Sequence, residues 1–154
     1  PDGRSGGLYK VTEDGRTCLN RGHFGNYPVP LGRWSPDFMD LLERLSQQAT
    51  AVDPTMPPLR AASCCLKFFD PKSKGLLWHR HNNDVTMLIH VGLDLDFLWK
   101  ARNDDPDEVL PLHSGDVLLL GGASKSLLHR PANLAPGTAP PGLRMRQGYL
   151  KVMV

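Results

Sequence analysis

The sequence has few of the features that mark secreted, membrane-spanning or disulfide-stabilised proteins. Only three of its 154 residues are cysteine, at Cys18, Cys64 and Cys65, and an odd count with two adjacent members gives no disulfide framework. A reducing, intracellular compartment, cytoplasmic or nuclear, is therefore expected. No apolar run approaches the roughly 18 residues that cross a bilayer, and no signal peptide is visible, so no membrane association is expected.

The chain also lacks a strong charge of either sign. Eighteen Lys and Arg residues stand against sixteen Asp and Glu residues, for a net charge of +2, which permits nucleic-acid binding without demanding it. Aromatic residues make up 7%, hydrophobic residues 40% and charged residues 22% of the chain, and this balance is typical of a globular protein. The length predicts one domain with its own core, and we expect a monomer.

One helix is predicted near residues 35–49. Ser35 is a suitable N-cap, Pro36 suits the first helical position and Asp37 favours the first turn. Apolar residues then recur at helical spacing, at Phe38, Leu41, Leu42 and Leu45. The preceding residues are rich in Gly, Pro, Arg and Asn, and they are predicted to form an extended surface segment.

Short strands separated by turn signals are predicted over the rest of the chain. We place them at 62–69, 76–81, 84–91, 94–100, 108–112, 116–120, 125–130 and 143–153. Many short strands behind one helix predict a mainly β (α+β) fold, a double-sheet sandwich or jelly roll with the helix packed on an outer face.

The segment WHRHNND at 78–84 is a candidate metal site. His79 and His81 are two residues apart, so on a strand they share a face, and His129 at the end of SKSLLH is the natural third ligand. Three neutral imidazoles can hold Fe(II), Zn(II), Cu(II) or Ni(II). A histidine pair at the surface of a polar hairpin is the alternative. His90 lies in the apolar run MLIHV and is predicted to be a core histidine.

The segment LHSGDVLLLGGASKSLLHRP at 112–131 resembles the signature of the AlkB family of Fe(II)- and 2-oxoglutarate-dependent dioxygenases. That signature has a Gly-Asp-Val strand, a Gly-Gly turn, a Ser and then the second iron-binding His. The resemblance covers roughly residues 27–154. It implies a substrate-lid segment at 1–34, and a double-stranded β-helix domain at 35–154 with one or two helices on an outer face.

The resemblance also implies cofactors, a reaction and a partner. Fe(II) and 2-oxoglutarate would serve oxidative demethylation of alkylated bases in DNA or RNA, in which an N-methyl group is hydroxylated and lost as formaldehyde. The family's two iron-binding histidines correspond to His79 and His129, and the position of its Asp holds His81. Asp84, three residues further on, is an alternative carboxylate if the loop bends.

The co-substrate positions of the family correspond to different residues here. The family's Asn-x-Tyr pair becomes Lys67 and Phe69. Its last-strand motif R-x-N-x-T-x-R corresponds to Arg144, Arg146, Gly148 and Leu150. The resemblance therefore implies Lys67, Arg144 and Arg146 as 2-oxoglutarate-binding residues, with Arg144 also as a catalytic residue. Counting by twos from Arg144 predicts that Lys151 faces the other way unless a bulge intervenes.

Three functions stay open on the sequence. The chain is an AlkB-like dioxygenase with an altered metal triad, an inactive AlkB-like module that binds nucleic acid or protein, or a metal-dependent oxygenase that needs no 2-oxoglutarate. Nucleic-acid contacts are predicted at Arg33, Trp34 and Arg80, where cations could meet phosphates and an indole could stack on a base. The binding-module alternative extends this groove to Lys100, Arg102 and Arg130.

Overall fold

The computed structural model describes residues 8–12, 16–20, 26–30, 35–61, 63–69, 77–145 and 147–154, and the side chains of 35–61, 69, 77–145 and 147–154. The strands of these parts of the chain, in order, are β1 (Leu8–Thr12), β2 (Arg16–Asn20), β3 (Asn26–Pro30), β4 (Ser63–Phe69), β5 (Val85–Gly92), β6 (Leu95–Lys100), β7 (Glu108–Leu112), β8 (Val117–Gly121), β9 (Leu128–Ala132) and β10 (Tyr149–Met153). The helix α1 spans Pro36–Val52, and a 3₁₀ turn spans Gly122–Ser124.

Two antiparallel sheets pack face to face. The larger has seven strands in the order β3-β2-β1-β4-β10-β5-β8, and the smaller has three in the order β7-β6-β9. Buried side chains from both sheets meet in one core cluster, consisting of Phe69, Leu88, Leu95, Phe97, Leu112, Leu120 and Tyr149. This arrangement confirms the predicted jelly-roll fold. No helix among the described residues has the length and apolar character that a membrane span requires.

Helix α1 begins and packs as its sequence predicts. The Ser35 hydroxyl accepts a hydrogen bond from the Phe38 N–H at 3.2 Å, which caps the helix. Its apolar face lies on the outside of the larger sheet, where Leu42, Met87 and Val154 form a second buried cluster. The predicted placement of a helix on an outer face is confirmed, with one α-helix in the described part of the chain.

Strand β5 serves both sides of the larger sheet. Met87 belongs to the cluster beneath the helix, whereas its neighbour Leu88 belongs to the cluster between the sheets. Because side chains alternate across a strand, His90 lies on the same face as Leu88. His90 is 4% exposed and its Nε2 lies 2.7 Å from the Leu93 carbonyl oxygen. The prediction of a core histidine with a satisfied ring is confirmed.

Three sequence-based predictions of elements are corrected. Within 77–81 the structure has no strand, only an isolated bridge at His79. The final strand begins at Tyr149 rather than 143. Gly148 takes a φ of 75°, which is incompatible with extended backbone, so the strand cannot continue past it towards the N-terminus. The N-terminal segment contains three paired strands, and β1 continues the larger sheet beside β4. A domain boundary at residue 34 stays a prediction.

Leu42→Ala should lower the free energy of unfolding by about 2–5 kcal/mol, because it empties a site that is 2% exposed between helix and sheet. The matched control is Leu41→Ala on the same helix, where the parent side chain is 37% exposed and the expected loss is below about 1 kcal/mol. Urea unfolding followed by circular dichroism measures both. Equal losses in the two variants would contradict the packing of α1 on this sheet.

Candidate metal centre

The candidate metal centre starts from a backbone contact between two distant segments. His79 N–H donates to the His129 carbonyl oxygen at 3.2 Å, and His129 N–H donates back to His79 at 3.0 Å. These reciprocal bonds form an antiparallel bridge, so the two residues are direct cross-strand partners. Directly opposed residues place their side chains on the same face of a sheet. His81, two residues after His79, shares that face.

A tight turn returns the chain to His129. Gly122 adopts a φ of +51°, and a Cβ added there would lie 2.9 Å from the Thr55 carbonyl oxygen. Only glycine tolerates both conditions at low cost. Ser124 then closes the turn, accepting from the Gly121 N–H at 3.0 Å and donating to the Gly121 carbonyl at 2.8 Å. The Gly-Gly-x-Ser pattern noted in the sequence is therefore the connection that delivers strand β9.

The three predicted metal ligands come together. One nitrogen from each of His79, His81 and His129 lies within 4.8 Å of the others. Ring centroids are separated by 5.4 Å for His79 and His81, 4.4 Å for His79 and His129, and 4.8 Å for His81 and His129. His129 is 1% exposed, and its ring stacks on Phe97 at 5.2 Å. The trio is therefore a partly buried cluster rather than a surface pair, with His129 buried and His79 and His81 half-buried.

Hydrogen bonds set the rings in a metal-binding tautomer. The Nδ1 atoms of His79 and His129 lie 3.0 and 3.1 Å from the carbonyl oxygens of Leu77 and Leu127, respectively. A carbonyl accepts only, so each Nδ1 carries the proton and each Nε2 carries a lone pair. The buried Nε2 atoms of His81 and His129 have no hydrogen-bond partner among the described residues. Orphaned ring nitrogens of this kind fit a metal ion.

Burial keeps the imidazoles of His81 and His129 neutral. Desolvation lowers the pKa of His81 to about 3, with further lowering by the positive charges of His129, Lys151 and His79. Desolvation also lowers the pKa of His129 to about 4, against a raising effect of the Leu127 carbonyl. Neutral imidazole is the form that binds metal. At neutral pH these rings need not lose a proton to do so.

The alternative carboxylate does not join the cluster. The side chain of Asp84 is 86% exposed and binds Lys125 Nζ at 2.6 Å. That hydrogen bond lowers the pKa of the carboxyl group. Among the described residues, the donor set therefore consists of imidazoles alone.

Of the residues predicted to bind 2-oxoglutarate, only Arg144 has a side chain within the described part of the chain. Arg144 is exposed in the loop before β10, which is a consequence of the late start of that strand. Arg146 lies outside the described residues. Lys67 stands in β4 opposite Lys151 in β10, and its side chain is outside the described part. The roles of all three stay predictions.

The predicted nucleic-acid contacts are described only in part. Arg80 is exposed between two of the histidines, whereas Arg33 and Trp34 lie outside the described residues. Lys100 Nζ lies 4.4 Å from the ring centroid of Trp78 and 3.1 Å from an Asp107 oxygen. A cation held by a ring and a carboxylate is a packing element, so Lys100 is a weak candidate for a phosphate contact.

The sequence reasoning missed the interior residues of β10. Val152 packs beneath the helix, so Tyr149, Lys151 and Met153 face the space between the sheets. Lys151 lines the inter-sheet cavity together with His129. The earlier expectation that Lys151 faces away is wrong, because it counted by twos from Arg144, which is not in the strand. The sequence offered no clear signal for this, since Val152, Met153 and Val154 are all apolar and show no alternation.

The whole arrangement can be compared with known proteins. A family model described as the 2OG-Fe(II) oxygenase superfamily matches residues 12–150, which is most of the chain. The chain belongs to the 2OG-Fe(II) oxygenase superfamily. The solved structure of OsALKBH1 has the same fold, with a TM-score of 0.71 and 22% identity over 99% of this chain and 81% of that chain. The resemblance to AlkB proteins is confirmed.

A curated relative adds a more local similarity. The DNA N(6)-methyladenine demethylase ALKBH1C of Arabidopsis thaliana is 41% identical over 54 residues. These residues are 34% of this chain and only 12% of that protein. The chain thus matches a small fraction of the length of this relative.

Membership of the superfamily implies Fe(II) and 2-oxoglutarate as cofactors. The metal fits, given the three inward nitrogens. Beside His129 the described side chains line a small cavity between the sheets.

The metal-free protein should lose stability as the pH falls from about 6.5 towards about 4. The unfolded chain binds protons at histidine near pH 6.5, whereas folded His81 and His129 do so only near 3 and 4. The unfolded state then binds more protons, so these two histidines lower the free energy of unfolding as the pH falls through this window. Above the window they contribute no pH dependence.

Urea unfolding across this pH range, on the parent and on the double variant His81→Ala/His129→Ala, measures the effect. The double variant should show a shallower pH dependence. His113→Ala is the control, since the parent side chain is 69% exposed. An unchanged slope in the double variant would contradict the buried, neutral state of the two rings.

Proposed function

We propose that this chain is an AlkB-like, metal-dependent oxygenase domain that demethylates an N-methylated base in DNA or RNA, using a three-histidine centre. The observation that carries the proposal is the set of three inward imidazoles, two of them with orphaned Nε2 atoms. In a histidine pair at the surface, the ring nitrogens would form hydrogen bonds with water. Here burial and backbone carbonyls prepare the rings for a cation.

The choice of substrate rests on the relative. ALKBH1C is named as a DNA N(6)-methyladenine demethylase, and an N-methyl group on a base is the substrate class that this name supports. A base in a duplex must leave the stack to reach a buried centre. Arg80 is exposed beside the histidines, where its guanidinium can hold a backbone phosphate while the base enters. Bound iron would supply the activation of O₂.

His81 changes the charge of the centre. Three neutral imidazoles leave a divalent metal with both of its positive charges, whereas the two-His, one-carboxylate set of the family neutralises one of them. An open site of this kind binds metal through nitrogen alone and keeps positions for further ligands. We infer that His81 is a ligand, not a remnant, since its ring reaches the other two.

Metal binding should require the trio. His81→Ala and His129→Ala are each expected to weaken Mn(II) or Fe(II) binding by more than about tenfold, since even the loss of an outer partner costs about 10–100-fold. His81→Asp, which recreates the family's donor set, should retain binding. Anaerobic calorimetry on the chelator-treated chain measures this, with His113→Ala as the control. Equal affinity in parent and His81→Ala would show that His81 is not a ligand.

The activity is tested on methylated single strands. The iron-loaded chain, given O₂ and 2-oxoglutarate, should release formaldehyde from an oligonucleotide with N6-methyladenine and not from its unmethylated counterpart. His129→Ala should abolish the release, and Arg80→Ala should raise KM more than it lowers kcat, because Arg80 binds phosphate and not the reacting group. Release that is the same for both oligonucleotides would contradict the substrate class.

A second candidate is a metal-dependent oxygenase that does not use 2-oxoglutarate. The observation that favours it is at Phe69, the position that corresponds to the family's Tyr, where a ring without a hydroxyl stacks on Tyr149 with centroids 4.6 Å apart and planes 8° apart. Both side chains are 2% exposed. Succinate formation separates the two candidates. Substrate oxidation without succinate supports the second, and stoichiometric succinate supports the first.

A further inference from the structure

The candidate metal ligands lie on two chain segments that the backbone joins at one point. The first segment carries His79 and His81, and the second leads from the turn at Gly122–Ser124 to His129. The isolated bridge joins His79 directly to His129. His81 lies beyond that bridge, so its position also depends on what holds the chain that follows it.

The span that carries His81 has few restraints of its own. Residues 80–83 form no hydrogen bond within the described part of the chain, and regular strand pairing resumes only at Val85, opposite Gly121. The ring of His81 is half-buried between the other two imidazoles. Each residue without a restraint adds conformational freedom that a bound metal would have to remove. A contact that shortens this span would therefore favour metal binding.

An ion pair supplies such a contact. The Lys125 Nζ donates a hydrogen bond to the Asp84 Oδ1 at 2.6 Å. Asp84 is the last residue before β5 and stands three residues after His81, whereas Lys125 follows the 3₁₀ turn and stands four residues before His129. The pair thus joins the two ligand-bearing segments a second time, at the other end of the span that begins at the bridge.

The lysine projects from an ordered turn. Its own N–H donates to the Gly122 carbonyl oxygen at 3.4 Å, and the Ser124 hydroxyl closes the same turn on Gly121. The hydrogen bond from Lys125 also lowers the pKa of the Asp84 carboxyl group, so both partners are charged at neutral pH. A fixed cation therefore holds the end of the less restrained span.

We propose that Asp84 and Lys125 are positioning residues of the metal centre, whose ion pair restrains the span that carries His81 and keeps its ring beside the other two. The pair itself contacts no metal. The inference rests on the metal centre of the proposed function and adds to it the residues that hold one ligand in place. Because the two side chains are 86% and 40% exposed, the expected effect on metal affinity is modest.

The signs of the charges separate a restraint from a direct effect of the electric field. Asp84→Asn removes a negative charge and would weaken cation binding under either explanation. Lys125→Met removes a positive charge, which by its field alone would tighten cation binding. A positioning role predicts the opposite for Lys125→Met, because the carboxylate loses its partner and the span is released.

The first measurement is the Co(II) affinity of the chelator-treated chain, followed by the visible absorption of the bound metal. Asp84→Asn and Lys125→Met should each weaken binding by about two- to fivefold, the range that exposed ion pairs allow. Lys125→Arg keeps the cation and should retain the affinity of the parent. In a His81→Ala background, Lys125→Met should have no further effect, since the pair acts through His81.

A matched control tests for a general effect of lost charge. Arg44→Met removes a cation of α1 that binds the Asp40 carbonyl oxygen, and it should leave Co(II) affinity unchanged. Thermal melts of every variant report folding. Tighter binding by Lys125→Met than by the parent overturns the proposal, as does equal affinity in the parent and both single variants. A loss that is just as large in the His81→Ala background shows that the pair does not act through His81 and also overturns it.

The metal-free chain provides an independent readout. Diethyl pyrocarbonate modifies accessible neutral imidazoles, and peptide mass spectrometry gives the rate at each histidine. His81 should react faster in Lys125→Met than in the parent, whereas His113, which is 69% exposed, should react equally in both. If Co(II) does not bind the parent but His81 reacts faster in the variant, the ion pair stands and the metal centre fails. If Co(II) binds through the histidines and neither rate nor affinity changes, the metal centre stands and the role of the pair is wrong.

Discussion

Two backbone hydrogen bonds bring the candidate metal ligands of this protein together. The reciprocal bonds between His79 and His129, at 3.2 and 3.0 Å, join the segment after α1 and β4 to strand β9. They make two imidazoles direct neighbours on one face, and the period of two adds His81. If this bridge were lost, the three rings would no longer converge. The Gly-Gly turn and the pairing of β9 with β6 hold one side of it.

The environment of the rings matters as much as their spacing. Burial lowers the pKa of His81 and His129, so these two rings are neutral and ready for a cation. The family's carboxylate would bring a negative charge to the metal, but a third imidazole does not. That difference leaves a more positive centre once a divalent metal is bound.

The larger sheet packs on the helix with one face and carries residues near the candidate site on the other. Strands β5 and β10 present one face to α1 and the other to the space between the sheets. Packing of Leu42 on Met87 and Val154 holds the two strands in place from outside. Tyr149 and Lys151 then occupy defined positions inside. Alternate side chains of β10 point to the helix and to the space between the sheets. A substitution beneath the helix that shifts this strand would therefore also move the side chains on its inner face.

The sequence by itself determined the helix, most strands of the jelly roll and the three histidines. Capping residues, apolar period and the two-residue spacing are local signals, so they can be read without neighbours. Only the tertiary structure decided the entry of β1–β3 into the sheet and the interior position of Lys151. Which face a residue takes depends on where its strand begins and on its register with β4 and β5. The positive φ of Gly148 sets the start of β10, and pairing partners distant in the chain set its register.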